Sequence, residues 1–347
     1  MGKLALAVWT AVSLTACGKS EQLPKEIPSF TLCQENPHTP VRHQGRTSTC
    51  WAFATTGMLE SEWLLRHPGD TLRLSVMYFV RQKYLNQLEA YYYSHGREEI
   101  RSGSLGHSLW RVWQEDGAVP YEAYKGYLPG ARRHDHRSLL KQLKKLAEEA
   151  VDAKDLEGYR KKAEALLDQE LGAVPDTFVY RGHRYTPRSF ADSLKLCPSD
   201  YVQVTSLMHH PYRKAVVVEF PDNWEHGTFV NLPLDEWELA IRKALSEGHT
   251  LAWHGDVSES TYLPRQGFAY WPVHPVTAEL RQWEYARFQT TDDHMMLLVG
   301  TARDEAGKLY YRLKDSYGKY GPHQGYIYLS EDYFRAKTLS VWLPRFQ

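Results

Sequence analysis

The first half of the chain carries apolar residues at intervals of three and four positions, which is the period of amphipathic α-helices. Residues 50–66 follow this pattern over about four turns, and the hydroxyl groups of residues 47–49 are placed to cap the helix. A second helix is predicted over residues 106–120. Residues 137–171 are rich in Lys, Glu, Ala and Leu and predict two helices, with a break near residues 155–158.

The second half changes to short runs rich in β-branched and aromatic residues, which predict strands. Residues 303–307 predict a hairpin turn between two of them, and residues 234–248 predict one helix that is capped by Asp235. The predicted strands cover residues 214–220, 249–255, 294–302, 308–315 and 325–330. A helical half followed by a mostly antiparallel half predicts an α+β protein of two lobes with a cleft between them.

The charge of the chain narrows the classes of function. Forty-two Lys and Arg residues balance 42 Asp and Glu residues among the 347 residues, so the formal net charge is zero. No long-range field therefore favours nucleic acid or an anionic membrane surface as a partner. Of the 16 histidines only His209 and His210 are adjacent, and neither an HExxH nor a CxxC motif occurs. We therefore predict no metal site and no cofactor.

The amino terminus has the pattern of an export signal, because a lysine precedes a short apolar stretch over residues 4–16. The stretch leads into LTAC, which resembles the bacterial lipobox, in which the cysteine is lipidated and becomes the first mature residue. We predict a signal peptide over residues 1–16 and a lipid-anchored tether over 17–37 that begins at lipidated Cys17. The protein would then be anchored to a membrane by its lipid, in the periplasm or at the cell surface. An ordinary signal peptide that is cut before the cysteine is the alternative.

With Cys17 committed to the lipid, the cysteines that remain are Cys33, Cys50 and Cys197. An odd number of cysteines in an oxidising compartment indicates that one thiol is kept free. Cys33 and Cys197 can form a disulfide or stay as two isolated buried thiols, and their spacing does not distinguish the two.

Cys50 opens its predicted helix, where unpaired N–H groups and the positive end of the helix dipole favour a thiolate. A thiolate attacks acyl carbons well, but it needs an imidazole to hold and return a proton. The oxyanion that forms also needs donors, and Gln44 can offer its side-chain amide beside the backbone N–H of Cys50. By itself, a buried cysteine in an apolar helix is equally a structural residue.

The missing imidazole has a candidate far along the chain. His294 stands at the start of one predicted strand, and Asp315 follows 21 residues later at the end of another. Two strands joined by a turn can bring these side chains together, so that the Asp315 carboxylate orients the imidazole of His294. A histidine at a strand edge is often merely structural, but the ordered series of Gln, Cys, His and Asp favours a catalytic site.

These segments resemble those of a known family. QGRTSTCWAFA (44–54), DDHMMLLVG and KDSYGKYGPHQGYIYL resemble the Cys, His and Asn-Ser-Trp-Gly segments of papain-like cysteine peptidases. More narrowly, the chain resembles the bleomycin hydrolase and aminopeptidase C branch from about residue 38 to 343, with a helical insertion at about 132–172. The segments with counterparts in that branch include LSVMYF, EDGAVPYEAY, CPSDYVQVTSLMHHPY and NLPLDEWELAIRKALSEGHTLAWHGDVSES.

The resemblance implies a papain-like fold, with a helical left lobe and an antiparallel β right lobe. It also implies a cysteine peptidase that acts on peptides or proteins through an acyl-enzyme intermediate. Cys50 takes the place of the nucleophile, His294 of the general base and acid, Gln44 of the oxyanion donor, and Asp315 of the orienting residue.

The same resemblance assigns substrate contacts. Tyr317 takes the place of a Trp that shields the orienting contact from water. Gly103 and Ser104 take the place of a Gly-Gly pair whose backbone binds the substrate as an extra strand. Because Ser104 adds a side chain there, we expect a narrower substrate groove.

Asp315 is the main departure from the family, which usually has Asn at this position. The carboxylate still accepts an imidazole N–H, and its charge favours protonated His294, so we expect an active enzyme with a shifted pH profile.

The chain also stops at Gln347, without the longer carboxyl-terminal arm that restricts the branch to terminal residues. We therefore do not expect this protein to share the restriction of the branch to the removal of terminal residues. Internal and terminal cleavage of peptides both stay open. Only 33 residues separate the start of the mature chain from Cys50, too few for the long inhibitory propeptide of secreted relatives.

Two other functions stay open at this point. A papain-fold binding lipoprotein with little or no turnover would tolerate Asp315, Tyr317 and Ser104 in place of the usual residues. Acyl transfer to an amine instead of to water would use the same catalytic residues.

Overall fold

The computed structural model of the protein describes residues 27–128, 130–131 and 133–345. The predicted signal peptide, Cys17 and the first part of the predicted tether lie outside the described residues. No helix in the described part of the chain combines the length and the apolar character needed to cross a bilayer.

The described residues form nine α-helices. In chain order these are α1 (Cys50–Arg66), α2 (Val76–Tyr93), α3 (Gly106–Glu115), α4 (Arg137–Ala153), α5 (Leu156–Leu171), α6 (Pro187–Leu194), α7 (Leu234–Ser246), α8 (Ala278–Ala286) and α9 (Glu331–Lys337). The bounds of α1 coincide with the prediction, and α4 and α5 confirm the two charged helices and the break between them.

The apolar pattern does not predict α2, although α2 has 18 residues. Twelve of these residues are buried, and they include polar side chains such as Lys83 and Asn86. A helix that is covered on most of its sides has no alternation of apolar and polar faces to detect.

Two predicted helix caps are wrong. Thr49 precedes α1, but its side chain makes no capping hydrogen bond. The hydroxyl of Thr47 instead donates to the carbonyl of Gln44 at 2.8 Å, which holds the turn before α1. α7 begins at Leu234, one residue before Asp235, so Asp235 lies inside the first turn and pairs with Arg335 of α9.

Thirteen strands are described, and eleven of them form one sheet. They are β1 (Thr31–Glu35), β2 (Phe178–Tyr180), β3 (His183–Tyr185), β4 (Tyr201–Thr205), β5 (Lys214–Val217), β6 (Thr228–Asn231), β7 (Leu251–Gly255), β8 (Tyr262–Leu263), β9 (Phe268–Ala269), β10 (His294–Arg303), β11 (Leu309–Lys314), β12 (Tyr326–Ser330) and β13 (Thr338–Pro344). The order in the large sheet is β5-β6-β4-β13-β7-β10-β11-β12-β9-β8, with β1 also paired to β10. Only the β4–β6 and β9–β12 pairs are parallel among these, which confirms the mostly antiparallel lobe.

The predicted tether ends earlier than residue 37. β7 pairs with β10 only as far as Leu298, and β1 takes the same edge of β10 from Gly300 to Arg303. The amide of Asn36 then donates to the carbonyl of His249 at 2.6 Å. Without β1, the backbone groups of β10 from Gly300 to Arg303 would be unpaired on this edge. Residues 31–36 therefore belong to the sheet.

The helical lobe and the sheet meet along α1, which packs against β10 and β7. Gly57 allows this close approach, because a Cβ at this position would lie 3.2 Å from the Leu297 side chain of β10. The packing places the first residue of α1 beside the first residue of β10. The two-lobed α+β fold therefore brings two distant segments of the chain to one cleft.

Candidate active site

The cleft brings together Cys50, at the start of α1, and His294, at the start of β10. The imidazole of His294 uses Nε2 to bind Oδ1 of Asp315 at 2.8 Å. Its other nitrogen, Nδ1, therefore remains for Cys50, whose side chain lies close enough to His294 to raise the pKa of the imidazole. His294 is thus held between a thiol and a carboxylate, as the sequence predicts.

Asp315 directly follows β11 and is held from several directions. Its Oδ1 accepts the backbone N–H of Ser316 at 2.6 Å in addition to the imidazole N–H. Its Oδ2 accepts the phenol O–H of Tyr320. The Asp315 and His294 side chains are only 2% and 5% exposed, so little water competes for their contact. A carboxylate with these donors fixes the plane of the imidazole ring.

The charges of this group stabilise one another. Burial lowers the pKa of His294, but the negative charges of Cys50 and Asp315 and the hydrogen bonds to them outweigh burial and raise that pKa to about 10. For Asp315 burial raises the pKa, but the charge of His294 and the donated hydrogen bonds leave it below its ordinary value. The arrangement therefore favours a protonated His294 at neutral pH.

Gln44 lies in the turn before α1 and is 1% exposed. Its backbone N–H donates to the carbonyl of Ser316 at 2.7 Å, and the Ser316 hydroxyl donates to Oε1 of Gln44 at 2.6 Å. This leaves Nε2 of Gln44 as the group available to an oxyanion. The first N–H groups of a helix have no partner within it, so the N–H of Cys50 can act as the second donor.

The turn itself requires glycine at position 45. Gly45 has φ of +74°, and a Cβ there would lie 2.1 Å from the carbonyl oxygen of His134. That carbonyl accepts the N–H of Arg46 at 2.8 Å. The close approach anchors the turn, and so it positions Gln44 relative to Cys50.

Tyr317 stacks on His294, with ring centroids 5.5 Å apart and an angle of 18° between the planes. The ring is 47% exposed, so it covers the imidazole from the solvent side. A cavity of about 360 Å³ lies next to it, with polar and aromatic walls that include Tyr262, Arg265 and Tyr320.

Gly103 and Ser104 lie on the helical side of the cleft. The indole of Trp51 donates to the carbonyl of Ser102 at 3.0 Å, which places this segment beside Cys50. The buried ammonium of Lys83 donates to the carbonyl of Gly103 at 2.9 Å. The segment is therefore held next to the nucleophile position.

The expected narrowing of the groove by the Ser104 side chain is wrong. The Ser104 hydroxyl accepts the indole N–H of Trp224 at 2.9 Å and shares a 2.6 Å hydrogen bond with Ser108. These polar partners draw the side chain into a buried cluster, and Ser104 is 3% exposed. Trp224 lies in the connection between β5 and β6, so this connection is fastened to the Gly103–Ser104 segment.

Two free cysteines and one surface group of histidines lie apart from the residues described above. Cys33 and Cys197 are both free and exposed, so they neither pair nor lie buried. The side chains of His209, His210 and Glu219 have ligand atoms within 4.8 Å of one another at the surface, the one such group among the described residues that could hold a metal ion.

Sequence patterns missed three parts of the site. Ser316 lies in the KDSYGKYGPHQGYIYL segment, but its role in orienting Gln44 was not predicted, because Gln44 is 272 residues away along the chain. Tyr320, which binds Asp315, carries no signal that separates it from the other 22 tyrosines. The connection between β5 and β6 approaches the cleft only through tertiary folding.

Two models of known protein families match the chain. The model of the papain family cysteine proteases matches residues 27–174, and that of the peptidase C1-like family matches residues 175–344. Aminopeptidase G of Lactobacillus delbrueckii subsp. lactis is 23% identical over 358 aligned residues, covering 88% of this chain and 81% of the relative. Cathepsin M of Mus musculus is 39% identical over 66 residues, which cover 18% of this chain and 20% of the relative.

The crystal structure of PepW from Lactobacillus rhamnosis HN001 shares the fold. Its TM-score is 0.72 at 18% identity, and the match covers 91% of this chain and 82% of PepW. Together the two family models span residues 27–344, nearly all of the described chain. The chain therefore belongs to the papain-like cysteine peptidases, in the branch of bleomycin hydrolase and aminopeptidase C, and is a cysteine-type peptidase.

Proposed function

We propose that this peptidase uses Cys50 as its nucleophile and His294 as its general base and acid, with Asp315 as the orienting residue and Gln44 as an oxyanion donor. The observation that carries the proposal is the placement of His294, which has the Cys50 side chain nearby on one side and binds the Asp315 carboxylate on the other. A merely structural histidine would not need two such partners at the end of a cleft.

The steps follow from these positions. The Cys50 thiolate adds to the carbonyl carbon of the peptide bond, and the oxyanion accepts hydrogen bonds from Gln44 Nε2 and the Cys50 N–H. The His294 imidazolium gives its Nδ1 proton to the leaving amine as the C–N bond breaks, which leaves an acyl thioester and a neutral imidazole. His294 then takes a proton from water, whose oxygen attacks the thioester. Collapse of this second intermediate releases the carboxylic acid and restores the thiolate–imidazolium pair.

The substrates we propose are peptides cleaved at their amino termini. Aminopeptidase G, which aligns with 88% of this chain, is named an aminopeptidase. The name supports removal of amino-terminal residues over internal cleavage. Digestion of a peptide library, followed by sequencing of the products, measures it directly. Successive loss of single amino-terminal residues is expected, and internal fragments would contradict the proposal.

A thiol-directed epoxide tests the assignment of Cys50. We expect rapid alkylation of Cys50 in the native protein, because the neighbouring His294 supports a thiolate and can protonate the opening epoxide. Cys33 and Cys197, which are free and exposed, serve as internal controls and should react far more slowly. Mass spectrometry locates the adduct. No adduct at Cys50, or equal labelling of all three thiols, would favour a binding protein over an enzyme.

Replacing Asp315 with asparagine should leave an active enzyme whose alkaline limit lies at lower pH. The Asp315 charge helps to raise the pKa of His294, so its removal lets His294 lose its proton earlier as the pH rises. We expect the alkaline limb of kcat/KM to move down by about one to three pH units, the usual effect of a close opposite charge.

The control for this measurement is Asp176→Asn, which removes an exposed carboxylate in the connection between α5 and β2. Its pH profile should match the wild type. An Asp315→Asn profile that also matches the wild type would contradict the role of the charge.

We also propose that the protein is an exported lipoprotein, held at a membrane in the periplasm or at the cell surface through Cys17. The lipobox-like LTAC after an apolar stretch supports this. When the protein is expressed in bacteria that are given an alkyne fatty acid, the wild type should incorporate the label and the Cys17→Ala variant should not. An unlabelled wild type would contradict the proposal.

A further inference from the structure

The connection between β5 and β6 covers residues 218–227, and we call it the hairpin tip. The side chain of Asn223 holds the tip together and is 5% exposed. Its amide donates to the carbonyls of Val218 and Gly227, both at 3.0 Å, and its Oδ1 accepts the N–H of Gly227 at 2.9 Å. The hairpin tip is therefore an ordered turn that is held by side-chain hydrogen bonds.

On the helical side, the hairpin tip is fastened beside the substrate segment. Trp224 donates to the Ser104 hydroxyl, and Glu225 accepts the hydroxyl proton of Ser108. Arg101 donates from Nη1 to the carbonyl of Pro221 at 3.0 Å. These contacts reach residues just before and after Gly103.

On the sheet side, the tip is fastened next to His294. The N–H of Asp222 donates to Oδ2 of Asp292 at 2.9 Å, and Asp292 lies two positions before His294. The other oxygen of Asp292 binds Nε2 of His254 at 2.6 Å, and the Phe220 ring packs edge-on against His254 at 5.3 Å between centroids. The hairpin tip thus bridges both lobes and closes this end of the cleft.

The closed end is the one that takes the acyl part of the substrate. During the reaction the acyl group stays on Cys50, whereas the leaving amine must lie against the imidazole of His294. The hairpin tip covers the segment that Trp51, next to Cys50, contacts. Tyr317 and the 360 Å³ cavity lie on the side of His294, where the leaving part would extend.

Asp222 presents a carboxylate at this closed end. A Cβ on Gly103 would lie 2.5 Å from Oδ1 of Asp222, so the carboxylate rests directly on the substrate segment. Both oxygens of Asp292 are already bound, but among the described residues none donates a hydrogen bond to the Asp222 oxygens. Arg101 Nη1 is 3.7 Å away, and the Asp222 side chain is 27% exposed. It therefore has unused acceptor capacity beside Gly103.

We propose that the hairpin tip leaves room for a single residue on the acyl side of Cys50, and that the Asp222 carboxylate binds the α-ammonium group of that residue. This rests on the proposed peptidase function and names the group that would select free amino termini. A peptide that continues past this residue would have to displace Trp224 and Asp222. An ammonium group would instead complete the hydrogen bonding of the carboxylate.

The charge of Asp222 suits this role at neutral pH. Burial and the neighbouring Asp292 raise the pKa of Asp222 to about 6, although Lys83, His254 and Arg101 act in the opposite direction. The carboxylate is therefore ionised near pH 7, where a peptide α-ammonium is also charged. A charged pair that is partly shielded from water is stronger than one on an open surface.

Fluorogenic aminoacyl amides that differ only in an N-acetyl group test the inference. The wild type should cleave the free-amine substrate well and the acetylated one poorly. Asp222→Asn keeps the size of the side chain but loses the charge, and it should lower kcat/KM for the free amine by roughly 10- to 100-fold. It should leave the slow cleavage of the acetylated substrate nearly unchanged.

Glu99→Gln is the matched control, because Glu99 also pairs with Arg101, at 3.0 Å, but is 71% exposed. It should behave as the wild type. Equal wild-type cleavage of both substrates, or an unchanged Asp222→Asn enzyme, would overturn the inference while the peptidase function stands. If neither substrate is cleaved and the epoxide does not label Cys50, the proposed function itself fails. Should Asp222→Asn not fold, the wild-type ratio of the two substrates still decides.

Discussion

Replacing Cys50 with alanine should reduce peptide cleavage by roughly 10⁴-fold or more, because the acyl group then has no sulfur to bind. His294→Ala should cost a similar factor, since the thiolate loses both its partner cation and the acid for the leaving amine. The two residues act as one unit, so the double variant should be hardly slower than either single variant. Initial rates on an aminoacyl amide substrate measure all three.

The fold should survive these changes. Cys50 is partly buried at the start of α1 and makes no disulfide, so loss of its sulfur removes little packing. Circular dichroism and thermal unfolding of each variant provide the control. Retention of more than a few per cent of activity by a folded Cys50→Ala protein would refute the assignment of the nucleophile.

Replacing Gln44 with alanine should lower kcat by about 10²- to 10³-fold with a smaller change in KM, because an oxyanion donor acts mainly in the transition state. The Ser316 hydroxyl holds Oε1 of Gln44, and so it directs Nε2 towards the reacting carbonyl. Ser316→Ala should therefore also slow the reaction, but less, since the donor is kept and only its orientation is loosened. Steady-state kinetics on the same substrate separate kcat from KM.

Gln203→Ala is the matched control for this experiment. Gln203 is also 1% exposed and also binds a serine hydroxyl, that of Ser340 at 2.7 Å, but it lies in β4 and not in the turn before α1. Its loss should reduce stability without a specific loss in kcat. If Gln44→Ala and Gln203→Ala lowered kcat equally, the effect would come from the fold and not from an oxyanion donor.

The spacing of apolar residues correctly predicted helices and strands that have one apolar and one polar face. α1 has the bounds expected from its apolar spacing, and β10 and β11 begin and end within one residue of the expected positions. α2 was missed because burial around most of the helix hides its period. The cap at Asp235 was wrong because α7 begins one residue earlier, at Leu234, and the Asp235 carboxylate binds a partner in α9. Patterns within one segment carry no information about such distant partners.

The sequence by itself determined which residues are candidates for the chemistry of the cleft: a cysteine at a helix start, a glutamine six residues before it, a histidine at the start of one strand, and an aspartate just after the neighbouring strand. Those residues are recognisable because each stands in a short motif whose spacing follows from a helix or strand. Only the tertiary structure decided how the cleft is bounded. Ser104 turns away from the groove to meet Trp224, which is 120 positions away, and Asp222 reaches Gly103 from the other lobe. Contacts between lobes depend on how the sheet and the helices pack, which no local spacing records.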